Sequence, residues 1–98
     1  MDKLTFPRIE GNIEIVADDD RIVIAGDPVG LKSLANSLLF LADVNQEEVP
    51  NMPIGERYHT HLHPGYQISE NSDETEICRL DAKGTGEFPA HYKAGSFA

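Results

Sequence analysis

The sequence predicts an α+β fold: a two-layer sandwich with a four-stranded, mainly antiparallel sheet and one amphipathic helix on one face, in the order β-β-α-β-β. Three observations predict it. Isoleucines alternate with other residues over "NIEIVADDDRIVIAG", leucines recur at helical spacing over "GLKSLANSLLFLADV", and two short alternating stretches follow, "RYHTHLH" and "TEICRLDA". Period two marks strands that are covered on one side, and period 3.6 marks a helix with one buried stripe.

In the first stretch Ile13, Ile15, Ile22 and Ile24 occupy alternate positions on either side of Asp18, Asp19 and Asp20. Two β-branched runs joined by a short Asp-rich turn form a hairpin whose apolar face is those four isoleucines. The acidic triplet lacks the further oxygen ligands of a calcium loop, so it reads as a solvated turn. Asp27 then supplies a helix N-cap, and Pro28 fits the first helical position, where its missing N–H costs nothing. Leu31, Leu34, Ala35, Leu38, Leu41 and Ala42 form the expected buried stripe. Phe40 and Val44 fall on the far side of that wheel, where a loop, the tail or a second subunit has to cover them.

Residues 45–57 contain two prolines and a glycine and read as a loop. The third strand carries His59, His61 and His63 and stops at Pro64-Gly65. The fourth runs through Ile77 to Leu80, and residues 83–98 are expected to be an irregular tail. All 98 residues are read as one domain, long enough for a single modest core.

A hydrophobic content of 40% with 26% charged residues is that of an ordinary globular chain. The formal charge of −9 argues against nucleic-acid binding, because phosphates are neutralised by clustered Lys and Arg. It favours a basic protein partner instead. The charge is concentrated early: residues 1–56 hold 11 acids against 4 bases. Cys78 is the only cysteine, which rules out an intrachain disulfide or a cysteine metal cluster. No apolar run has the length of a signal peptide core or a membrane span, so a cytoplasmic protein without membrane contact is expected.

Strand parity puts Tyr58, Thr60 and Leu62 on one face and the three histidines on the other. The more apolar set faces the helix, so the imidazoles lie on the uncovered side. The same reasoning turns Cys78 and Leu80 inward and Ile77 and Arg79 outward, with Glu14, Val16, Arg21 and Val23 joining the open face from the hairpin. His59 and His63 are then about 13 Å apart on a regular strand, whereas zinc holds imidazole nitrogens at about 2.0–2.1 Å. One ion cannot take all three. A metal or small enzymatic site therefore has to join a neighbouring pair, His59/His61 or His61/His63, to the distant His91 or to carboxylates such as Glu14 and Glu76. No nucleophile elbow, phosphate loop or cofactor motif is present.

The segment "YHTHLHPGYQISENSDETEICRL" resembles the signature region of small immunity proteins from bacterial polymorphic toxin systems, the family numbered thirty-two. The likeness rests on His59, His61, Leu62, Pro64, Ile68 and the closing Leu80, and the hairpin-helix layout is similar too. Where relatives often carry a Trp-Gly-Gly segment after the proline, this chain has Gly65-Tyr66-Gln67. The resemblance implies a non-enzymatic protein that neutralises a cognate toxin by direct binding; the acidic balance suits a basic toxin domain such as a nuclease. The expected contact face comprises Glu14, Val23, His59, His61, His63, Ile77 and Arg79. Two rival readings remain: a metal-binding or enzymatic domain using His59, His61 and His91, and a self-associating module that dimerises through Phe40 and Val44.

Overall fold

The computed structural model describes residues 5–95; the last three residues of the expected tail lie outside them. Along the chain come β1 (Ile13–Asp18), β2 (Arg21–Gly26), helix α1 (Pro28–Asp43), a 3₁₀ turn (Gln46–Glu48), β3 (His59–Leu62) and β4 (Thr75–Cys78).

β1 and β2 pair antiparallel around a two-residue connection, with Asp18 opposite Arg21 and Ile15 opposite Ile24. Asp19 takes the left-handed backbone region at φ 54°, which Asp tolerates better than a β-branched residue does. α1 begins as its sequence requires. The Asp27 carboxylate accepts from the Gly30 N–H at 2.7 Å, capping an amide that lacks a partner within the helix. It also accepts from the Asn12 backbone and side chain, tying the helix start to the start of β1. Gly30 makes that approach feasible, since a methyl group there would run into the Asn12 carbonyl.

The four strands do not form one sheet. They make two separate two-stranded sheets, β1-β2 and β3-β4. The reason lies in the loop before β4. Ser69 and Asp73 donate their amides to the carbonyls of Ile13 and Ile15, Ser72 Oγ accepts from Ile15, and the Asp73 carboxylate accepts from Ala17. This loop satisfies the outer edge of β1, so neither β3 nor β4 can extend the sheet on that side.

The core cluster joins Ile13 and Ile15 of β1, Leu34 of α1, Leu62 of β3 and Ile68 of the loop, with Ile9 and Ile77 packed against it. The helix is rotated from its expected phase. It buries Gly30, Ser33, Leu34, Ser37 and Leu41, while Leu31, Leu38, Ala35 and Ala42 are exposed. Ser33 is buried because it is satisfied: its hydroxyl accepts from Glu10 N–H and donates to the Arg8 carbonyl. That pair of bonds holds the N-terminal segment along the helix, where Phe6 meets Phe40 at a ring separation of 4.7 Å. Val44 is buried. A second subunit is therefore not needed to cover Phe40 and Val44.

Beyond β4 the chain is irregular but anchored. Arg57 donates to the carbonyls of Leu80 and Glu87, and Lys83 Nζ donates to those of Val49 and Met52.

Candidate functional site

β3 and β4 fix the imidazole ladder. Their register sets His59 opposite Cys78, Thr60 opposite Ile77, His61 opposite Glu76 and Leu62 opposite Thr75. Leu62 is buried and the three histidines are exposed, as strand parity on β3 requires. Pairing then decides β4. Ile77 shares the inner face with Thr60 and Leu62, and Cys78 and Glu76 share the outer face with the histidines. This reverses the expected orientation of β4: Cys78 is exposed, and Ile77 packs on the core.

Arg79 is also turned inward. Nε and Nη2 grip the Asp81 carboxylate at 2.8 and 2.7 Å, and Nη1 donates to the carbonyls of Leu41 and Val44. A cation thus meets the C-terminal carbonyls of α1, whose own last turn has no basic residue. The hydrogen bond from Arg79 is the main cause holding the Asp81 carboxyl below its ordinary value of 3.8, against a smaller opposing effect of burial. Gln46 completes the junction, with Nε2 on Asp81 and Oε1 accepting from Tyr58 N–H.

On the outer face His61 Nε2 lies 3.8 Å from Glu76 and His63 Nδ1 lies 3.3 Å from Glu74. His59 Nδ1 is 3.2 Å from the Arg57 carbonyl, a hydrogen bond that requires the proton on Nδ1. Adjacent rings are 5.1 and 5.9 Å apart. Among the described residues no three His, Cys, Asp or Glu side chains converge in a way that could hold a metal ion, so His59, His61 and His91 are not brought together. Nor does any serine or cysteine there hydrogen-bond to a histidine as a nucleophile would to its base. Glu14 and Val23 belong to the other sheet, where Glu14 accepts from the Ser69 hydroxyl at 3.3 Å. The seven residues of the expected contact face are therefore divided. Three histidines form a wet polar ladder, two residues sit on the separate hairpin, and Ile77 and Arg79 point inside.

A surface that sequence reasoning missed lies on the other side of the hairpin. Ile22, Ile24, Leu31, Leu38 and Leu39 are all exposed. Their signal was present in the sequence, because α1 carries more leucines than one buried stripe can take.

The arrangement is that of a small acidic α+β protein with built surfaces and no assembled reaction centre among the described residues. The sequence matches the family of Immunity protein 32 over residues 21–80, more than half of the chain, and the protein belongs to that family. No curated protein and no solved structure matches it. No helix among the described residues is long and apolar enough to cross a membrane.

Proposed function

We infer that this chain is a non-enzymatic immunity protein that neutralises a cognate bacterial toxin by binding it directly in the cytoplasm. The single observation carrying this reading is membership of the immunity-protein family over residues 21–80. Its charge supports a basic partner. The chain carries −9, and Arg57, Arg79 and Lys83 direct their side chains at backbone carbonyls of their own fold. The outward field is correspondingly acidic, which accelerates encounter with a basic toxin domain such as a nuclease. The imidazole ladder of His59, His61 and His63 serves in this reading as a polar contact surface.

The test is to read the adjoining reading frames for a toxin domain and to co-express that domain with this chain. Growth arrest by the toxin should be relieved by this chain, and the two should co-purify. Toxicity that persists despite abundant folded protein would overturn the reading.

A further inference from the structure

α1 buries two serines and leaves leucines in solvent. Ser33 and Ser37 are buried, whereas Leu31 and Leu38 are each 45% exposed and Leu39 is 61% exposed. The hairpin repeats the pattern. Ile13 and Ile15 of β1 are buried, but on the same face of β2 Ile24, opposite Ile15, is 55% exposed and Ile22, opposite Ala17, is 71% exposed. Leu31 lies against Gly26 at the end of β2, so this flank of the helix is on the side of β2.

The backbone points the same way. Ile13, Ile15 and Ala17 turn their amides and carbonyls toward the 69–73 loop. Their partners Gly26, Ile24 and Ile22 therefore turn theirs away from β1. Among the described residues no hydrogen bond reaches the outward groups of Ile22 and Ile24. One edge of the hairpin is closed by a loop, while the other is open, apolar and continuous with a leucine-bearing helix flank. Proteins ordinarily blunt such edges with prolines, inward charges or bulges. β2 has none of these, and its one charge, Arg21, is at its first residue.

We propose that β2 and the Leu31–Leu38 flank of α1 are the docking surface for the toxin, which adds a basic extended segment antiparallel or parallel to β2. Main-chain bonds to Ile22 and Ile24 give affinity, and side chains seated between β2 and α1 give specificity. The proposal rests on the immunity reading and names the surface that carries it out.

Two arguments select this occupant. The five exposed side chains present on the order of 500 Å² of apolar surface, near the upper limit for one patch on a monomer and approaching the half-interface of a stable complex. The rim is acidic on balance, with Asp18, Asp19 and Asp20 at the hairpin turn and Asp43 at the end of α1 against the two exposed bases Arg21 and Lys32. A second copy would bring another −9 and another acidic rim to the same seam, whereas a basic segment meets complementary charge.

Two variants test this, with a toxin domain identified in the adjoining reading frames as probe. Ile24→Pro blocks the edge while sparing the hairpin, because the Ile24 N–H is not used by β1. Leu38→Glu charges the helix flank. Calorimetric titration should show affinity reduced at least 100-fold by each, with unchanged melting temperature, and wild-type association should slow at least tenfold between 50 and 500 mM salt. Ile54→Ala, an exposed apolar side chain away from β2, α1 and the imidazole ladder, is the comparison and should bind within threefold of wild type. Tight wild-type binding that neither variant weakens would overturn the surface and leave the immunity reading standing. Absence of binding by the wild-type chain would remove both. A free chain that sediments as a dimer and is made monomeric by Ile24→Pro would reassign the surface to a second copy.

Discussion

Arg79 joins three parts of the molecule through a single side chain. It reaches the last carbonyls of α1, the Asp81 carboxylate and, through Asp81, the Gln46 amide. Arg79→Ala takes from those carbonyls their guanidinium donor and leaves the carboxylate only the longer bond from Gln46, a loss of about 1.5–3 kcal/mol that urea denaturation should register as a lower midpoint with unchanged slope. The pH dependence has a fixed sign. Because the native Asp81 carboxyl is held below 3.8, its contribution is complete above the unfolded value and disappears as pH falls through the depressed native one. Acid titration of Asp81→Asn should therefore show a weaker loss of stability below about pH 4 than wild type shows. Asp27 behaves alike, held low first by the Asn12 side chain and then by the Asn12 and Gly30 amides. Asp27→Ala should lower the melting temperature by uncapping α1, and Asp27→Asn should retain part of the cap.

At the scale of elements, legibility followed how local each cause was. The hairpin could be read because alternation and an Asp-rich turn act over a few residues. The ends of α1 could be read because Asp27 and Pro28 are adjacent signals. Its rotation could not, since leucines occupy more than one face and the buried serines owe their burial to the distant Arg8 and Glu10 backbone. The orientation of β4 was misread for a similar reason: Arg79 looks solvent-facing until the helix carbonyls it caps are in place. The division into two sheets depends on Ser69, Ser72 and Asp73 closing the edge of β1 some 55 residues away in sequence. The outward direction of the histidines on β3 was legible, but the exposed apolar seam was not, because it is defined by what the rest of the chain fails to cover. The close approach of Gly30 to Asn12, just before β1, gives a test at this scale. Gly30→Ala should cost about 1–3 kcal/mol in denaturant unfolding, an effect larger than helix propensity alone allows and opposite in sign.

For the whole molecule, family membership, acidic charge and an open apolar edge each support the proposed task, that of meeting a basic protein. The core is small, and several of the largest aliphatic side chains lie outside it; burying them in a complex adds stability by mass action, so the melting temperature should rise with toxin concentration. The most direct measurement is light scattering on a size-exclusion column after mixing this chain, at tens of micromolar, with a toxin domain identified in the adjoining reading frames. The account predicts a 1:1 complex that leaves no free toxin and no residual toxic activity. Two separate peaks, each at the mass of the free protein, would contradict it.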